Sequence, residues 1–195
     1  MSKPKSTLIN MVLVLLIITG VSGFSLGYIN EWTKGPKEAT RLARKLEAIK
    51  SVLPEITNNP AEEMVLLPVG TSGDSLECYI GKKDGVPVGF AISTYSNKGF
   101  SGLIRIMIGF TADGKIFNTA VLEQKETPGL GTKMKDAKFK DQFPGKDPAS
   151  FELKVKKDGG DVDAITGATI SSRAFSGAAK MAVDALNQNK ELLEK

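Results

Sequence analysis

The chain has 195 residues, with 26 lysines and arginines against 22 aspartates and glutamates, one cysteine and no histidine. Without histidine there is no Ser-His-Asp or Cys-His nucleophilic site and no histidine-ligated zinc or haem. The lone Cys78 makes no internal disulfide and holds no iron–sulfur cluster, and it reads as a small half-buried apolar filler. Redox chemistry on this chain therefore requires a cofactor held by oxygen and backbone groups. The length suits one domain with an appendage, and the appendage comes first.

A short tail, residues 1–7, precedes the apolar part of an uncharged run from Ser6 to Asn30. Within that run Leu8–Tyr28, 21 residues, matches a ~30 Å hydrocarbon core at ~1.5 Å per residue. It reads as a transmembrane helix. The competing reading is a cleaved signal peptide with an apolar core at Met11–Val21 and small residues near Gly23 or Gly27. The length of the run, with Tyr28 and Trp32 at interfacial positions, favours a retained anchor. Lys3 and Lys5 precede the span, whereas Lys34, Lys37, Arg41, Arg44 and Lys45 follow it, so a count of basic residues puts the C-terminal side in the cytoplasm. A long domain is translocated largely regardless of its charge, and charge alone leaves topology open.

All acidic residues and 24 of the 26 basic ones lie beyond Asn30, a net charge of +2 for that part. No Lys/Arg stripe interleaved with aromatics occurs, so a nucleic-acid partner is not expected. Residues 29–54 read as a juxtamembrane linker and amphipathic helix. Gly35-Pro36 is expected to break the backbone, Leu42, Leu46, Ile49 and Leu53 supply an apolar stripe over about Lys37–Val52, and Pro54 stops the helix.

From residue 55 onward the pattern is that of a single α+β domain. Five short β-rich runs, Met64–Leu67, Leu76–Ile80, Val86–Tyr95, Leu103–Phe110 and Ile116–Leu122, are separated by turn signals. Those signals are Ser72-Gly73-Asp74, Lys83-Asp84-Gly85, Ser96-Asn97-Lys98-Gly99 and Asp113-Gly114. The connections are too short for helical crossovers, so an antiparallel sheet is expected. Beyond it come a loop at 126–133, a short helix near Asp136–Phe143, a strand near Phe151–Val155 and a final helix near Ser172–Asn189. Phe175, Ala178, Ala179, Ala182, Val183 and Leu186 form that helix's apolar face, with Ser171 or Ser172 as its N-cap.

Three glycine-containing stretches are candidates for chemistry. Gly129-Leu130-Gly131 lacks the third glycine of a dinucleotide fingerprint and opens no long helix, so spacing alone makes it a structural turn. Gly99–Leu103 is the weaker third candidate: a hairpin turn accounts for it at least as well as a pocket wall through Gly102 and Leu103 does. The run from Asp158 to Ser172 ends in Thr166-Gly167-Ala168-Thr169 at the start of the last helix. That junction suits a phosphate, since free N–H groups and the helix dipole meet there, but it suits a plain helix cap as well.

Asp163-Ala-Ile-Thr166-Gly167-Ala168-Thr169 resembles the flavinylation motif Asp-x-x-Ser/Thr-Gly-Ala-Ser/Thr of proteins that carry FMN in phosphoester linkage. Glu126-Thr-Pro-Gly-Leu-Gly131 resembles the second signature of the same FMN-binding domain. Their order and separation, behind an N-terminal anchor, resemble the G subunits of the Rnf ion-translocating electron-transport complexes. The C subunits of the sodium-translocating NADH:quinone reductases share the domain but are typically longer.

The resemblance implies covalent FMN on Thr169, bonded through Oγ, with Asp163, Thr166, Gly167 and Ala168 read by a flavin transferase. The metal used in that transfer belongs to the transferase, and none is assigned to this chain. It also implies backbone donors near Ile170, hydroxyls on Ser171 and Ser172, and a covering loop that offers Glu126, Thr127, Leu130 and Gly131. Thr132 and Lys133 would reach the pyrimidine end of the flavin, where Lys133 would favour the anionic reduced form. The implied task is an electron relay rather than a stand-alone catalyst. It would work in a ferredoxin:NAD oxidoreductase complex that moves Na+ or H+, beside other subunits including a flavin-bearing membrane subunit. The domain would lie on the periplasmic or extracellular side of the inner membrane. The competing readings are an FMN domain of another extracytoplasmic reductase and a cofactor-free anchored scaffold.

Overall fold

A computed structural model describes residues 7–70 and 74–193. The first helix, α1 (Leu8–Val52), is long and apolar enough in its N-terminal part to cross a membrane. The chain forms two compact units that divide within this helix, between Ala43 and Arg44. The expected break at Gly35-Pro36 does not occur, because the helix continues through Pro36. Proline there forfeits one amide donor and crowds the preceding turn. Good helix formers follow it, and Thr40 Oγ1 donates to the Pro36 carbonyl at 2.8 Å. Pro54 does close the helix, two residues after its last one.

The second unit is built on five strands, β1 (Met64–Val69), β2 (Asp74–Lys83), β3 (Val86–Gly99), β4 (Gly102–Thr111) and β5 (Ile116–Glu123). They form one antiparallel meander in the order β1-β2-β3-β4-β5. Its register is set by pairs such as Cys78↔Ile92 and Ile92↔Ile108. The Asp84-Gly85 and Asp113-Gly114 reversals fall where the turn chemistry puts them. The turn expected at Ser72-Gly73-Asp74 lies, at Ser72 and Gly73, outside the described residues. The turn expected at Ser96–Gly99 is instead a bulged continuation of β3, and the chain reverses at Phe100-Ser101, between Gly99 and Gly102. Gly102 carries the positive φ of +97° that this reversal needs.

Further on come a 3-10 turn (Gly131–Lys135), α2 (Ala137–Lys140), a second 3-10 turn (Lys156–Asp158), α3 (Thr169–Gln188) and α4 (Lys190–Leu193). The strand expected at Phe151–Val155 is absent among the described residues. That segment makes one parallel bridge, Val155↔Val162, because Gly159-Gly160 turns the chain back onto itself. The Lys156 N–H donates to the Val162 carbonyl and the Val162 N–H to the Lys154 carbonyl, both at 2.9 Å, so the segment pairs locally instead of joining the sheet.

Both faces of the sheet are covered, which is why β4 reads as an almost continuous apolar run. On one face Leu76, Cys78, Ile92, Ile106, Ile108 and Phe110 pack against Phe175, Ala178, Ala179 and Ala182 of α3. Cys78 is fully buried there, rather than half-buried. Phe139 and Phe143 close this core around Phe175, with ring centroids 5.1–5.6 Å apart. On the other face Ala48, Ile49, Val52 and Leu53, from the end of α1 onward, meet Tyr79, Ala91 and Met107. Gly109 of β4 lies against the Val52 backbone, where any Cβ would overlap the carbonyl oxygen. The two cores leave one end of the sheet, at the β3–β4 hairpin tip, for the loops that carry the recognisable motifs.

Candidate functional site

Three segments far apart in sequence converge at that end. The β3–β4 tip contributes Phe100, the loop after β5 contributes Glu126, Thr127, Leu130 and Gly131, and the start of α3 contributes Gly167 to Ser171. They enclose a cleft of about 330 Å³, within the range of ~300–1,000 Å³ usual for small-molecule sites. Phe100, Leu130 and Ile170 give it exposed apolar walls, being 68%, 42% and 47% accessible.

Its floor is polar. Glu126 is only 4% exposed, and its carboxylate receives the Ser101 N–H on Oε1 at 3.0 Å and the Ser171 hydroxyl on Oε2 at 2.6 Å. This one side chain ties the hairpin tip and the first turn of α3 to the 126–131 loop. The loop is closed on itself as well: Thr132 Oγ1 accepts the Gly129 N–H at 3.0 Å, and the Leu130 N–H reaches the Thr127 carbonyl at 3.1 Å.

α3 begins at Thr169 with Ala168 at the cap position and no side-chain cap. The expected N-caps, Ser171 and Ser172, lie inside the helix because their hydroxyls serve other partners. Ser171 is taken by Glu126, while Ser172 Oγ accepts the Ile165 N–H and donates to the Ala168 carbonyl, both at 2.9 Å. The first helical hydrogen bond is Ser172 N–H to Ala168 O at 3.0 Å. The N–H groups of Thr169, Ile170 and Ser171 thus have no partner among the described residues and carry the positive end of the helix dipole. Thr169, half-buried, brings a hydroxyl oxygen to that same point of the cleft.

A second, smaller cavity of about 140 Å³ lies beside the first and shares none of its lining residues. Lys133, Asp163 and Thr166 line it, together with Asp136, Lys138 and Gln142. Gln142 clamps the backbone of Asp163, accepting its N–H at 2.7 Å and donating to its carbonyl at 3.2 Å. Lys156 pairs with the Asp163 carboxylate at 2.8 Å. Of the residues singled out in the sequence, Glu126, Thr127, Leu130, Gly131, Gly167, Ala168, Thr169, Ile170 and Ser171 meet in the first cleft. Thr132, Lys133, Asp163, Thr166 and Ser172 lie beside or behind it, and Gly102 and Leu103 are not among its lining.

Phe100 is a lining residue that sequence reasoning missed. Its signal was a bulky aromatic set between glycines in a hairpin tip, where a structural turn has no use for one. Arg173, near the helix start, does not line the cleft; Asp158 engages its guanidinium through two bonds of 2.7 Å. That contact holds the Asp158 carboxyl below the usual aspartate range. Glu126 is therefore the charged side chain lining the cleft among the described residues.

Apolar walls over a polar floor, with backbone donors converging beside the Thr169 hydroxyl, suit a bulky, anionic small molecule. Residues 99–184 match the FMN-binding domain, which places the chain among proteins that contain this domain. Over 192 residues the chain is 35% identical to the G subunit of the ion-translocating oxidoreductase complex of Vibrio atlanticus, covering 93% of this chain and 91% of that protein. It is 33% identical over 183 residues to the G subunit of the Na(+)-translocating ferredoxin:NAD(+) oxidoreductase complex of Acetobacterium woodii, covering 88% of this chain and 87% of that protein. The chain belongs to the G-subunit family of ion-translocating oxidoreductase complexes. Its fold is also that of the crystal structure of Shewanella oneidensis NqrC, with a TM-score of 0.50 at 20% identity over 71% of this chain and 70% of that one.

The residues of the first cleft fit FMN. Phe100, Leu130 and Ile170 match the apolar ring system, and the three unpartnered N–H groups match the phosphate.

Proposed function

We propose that this chain is the electron-relay subunit of a membrane-bound ion-translocating ferredoxin:NAD oxidoreductase complex. It carries FMN as a phosphoester on Thr169 Oγ, with residues 8–28 as a single membrane span and the flavin domain on the periplasmic or extracellular side. Names borne by its relatives support the complex and its reaction. The observation that carries the covalent reading is the position of Thr169: the first residue of α3, half-buried in the cleft, beside N–H groups that have no other partner among the described residues.

Bound flavin supplies the electron transfer itself, by accepting and releasing electrons at its ring system. The chain's own residues position it. The N–H groups of Thr169, Ile170 and Ser171 hold the phosphate's remaining negative charge, while Gly167, without a side chain, lets the ligand approach the backbone. Leu130 and Phe100 cover apolar surface and exclude water. Outside the cytoplasm dissociated FMN is diluted beyond recovery, and an ester bond removes that loss. The exposed Asp163, Thr166 and Gly167 remain accessible to the transferase that would read them. The partners are the other subunits of the complex, among them a flavin-bearing membrane subunit.

Thr169→Ala tests the assignment. The variant is expected to fold, since the hydroxyl removed has no structural partner among the described residues and the methyl lost with it is half-buried at most, and to lose the flavin fluorescence that survives denaturing electrophoresis. Thr169→Ser is expected to retain it. Fluorescence persisting in Thr169→Ala, or an unmodified peptide spanning residue 169 in native protein, moves the attachment elsewhere or removes it.

A further inference from the structure

Glu126 presents a problem that its hydrogen bonds do not solve. Its carboxylate is buried at 4% exposure, lines the cleft, and forms an ion pair with no described residue. The space around it is made by glycines on both sides. A Cβ on Gly99 would come within 2.7 Å of Oε1, and a Cβ on Gly131 within 2.7 Å of Oε2. The hairpin itself also requires glycine at 99, where a Cβ would overlap the Gly102 carbonyl oxygen, whereas at 131 the crowding comes from Glu126 and its partner Ser171.

Holding the three loops together does not require a charge. Glutamine in the same rotamer would accept the Ser101 N–H through its oxygen, and the Ser171 hydroxyl would turn to accept from its amide. That neutral strut avoids the desolvation that an unpaired buried charge incurs. What glutamate adds is negative charge on the cleft floor. No lysine or arginine among the described residues lines the cleft to offset it, since Lys133 lies in the separate smaller cavity and Arg173 is held by Asp158.

We propose that Glu126 is a fixed negative charge that holds down the reduction potential of the flavin carried in this cleft; the role rests on the flavin reading above. Two-electron reduction with uptake of one proton adds one negative charge to the flavin, whereas uptake of two protons adds none. A buried carboxylate at the floor of the cleft disfavours the first product and so makes the flavin harder to reduce. The family resemblance, with Lys133 at the pyrimidine end of the flavin, implied the opposite polarity.

The test is a reductive titration of full-length, flavin-loaded protein in detergent, with dithionite as the electron source and redox mediators present. Wild type, Glu126→Gln and Ser171→Ala are compared. Glu126→Gln keeps the strut and removes the charge, and its midpoint rises. Ser171→Ala strips a donor from the carboxylate, leaves its charge less neutralised, and its midpoint falls. A merely structural role would not shift the two midpoints in opposite directions. Coincident midpoints for wild type and Glu126→Gln overturn the proposal. If Glu126→Gln does not fold, Ser171→Ala decides, and an unshifted or raised midpoint overturns it. Wild-type protein that carries no flavin overturns the cofactor reading instead, so the two failures are distinguishable.

Discussion

Gly131→Ala probes how tightly the 126–131 loop is fitted to α3. Gly131 has no unusual backbone conformation; its requirement is space. A Cβ would lie 2.6 Å from Ser171 Oγ and 2.7 Å from both Cβ and Oε2 of Glu126. Neither neighbour is free to withdraw, because Ser171 belongs to the first turn of α3 and the Glu126 carboxylate is fixed by the Ser101 N–H. Overpacking of this kind costs ~1–3 kcal/mol, which at ~2–4 °C per kcal/mol for a chain of this size lowers the melting temperature by roughly 2–12 °C. Gly129, two residues earlier, offers a contrast of mechanism. It has open space but a φ of +75°, so alanine there incurs only the left-handed backbone penalty, ~1–2 kcal/mol. Asparagine tolerates that region, so Gly129→Asn is expected to melt above Gly129→Ala, whereas Gly131→Asn is expected to melt below Gly131→Ala. Thermal unfolding followed by circular dichroism on the detergent-solubilised variants reads all four. A Gly131→Ala protein that melts with wild type, or a Gly131→Asn that recovers stability, would refute the packing argument.

Two further outcomes follow from charge and burial. The Arg173 guanidinium, by hydrogen bond first and charge second, holds Asp158 below its ordinary value. Because the folded-state value is the lower one, the pair's stabilisation is present above the unfolded aspartate value of ~3.9 and is lost as the pH falls through the folded one. The melting-temperature gap between wild type and Arg173→Ala should therefore be present near neutral pH and shrink toward about pH 3; a gap that widens in acid contradicts it. Burial pushes the Cys78 thiol up to about 12. Maleimide should thus leave the native protein unlabelled and modify it only after denaturation. Labelling under native conditions would place Cys78 outside the core.

How much of this was legible in the sequence depended on how local the physics is. Asp84-Gly85 and Asp113-Gly114 announce hairpin turns because the requirement for φ > 0 is met within two residues, and the meander follows from them. The end of α3 that faces the cleft was readable from Thr166-Gly167-Ala168-Thr169, but its cap was not. Whether Ser171 caps the helix or serves Glu126 is decided by a partner 45 residues away. At Pro36 the missing donor looks like a stop, yet one lost bond is outweighed when both flanks propagate the helix. Phe151–Val155 has strand composition but pairs with Val162 instead of a sheet edge, a choice that only tertiary structure supplies. Phe100 and the two glycines beside Glu126 draw their meaning from convergence: the Ser101–Glu126 bond spans 25 residues. No window of a size suited to periodicity contains it.

On the proposed reading the start of α3 satisfies two anions at once, and the side chains are what make that feasible. A carboxylate as buried as that of Glu126 would ordinarily compete for the free N–H groups of a nearby helix terminus. Here it takes the Ser171 hydroxyl instead and its other donor from the hairpin tip. The N–H groups of Thr169, Ile170 and Ser171 are thereby left for a second anion, as the proposed phosphoester requires. Ser172 completes the arrangement by binding Ile165 and Ala168, which fixes the approach to Thr169 before any ligand is present. Gln142 does the same at Asp163, from the other end of the motif. A segment with little secondary structure of its own is thus held by side chains at both of its ends. Replacing either serine by alanine consequently affects different things: at 172 the loop is released, whereas at 171 it stays in place and the electrostatics of the cleft change.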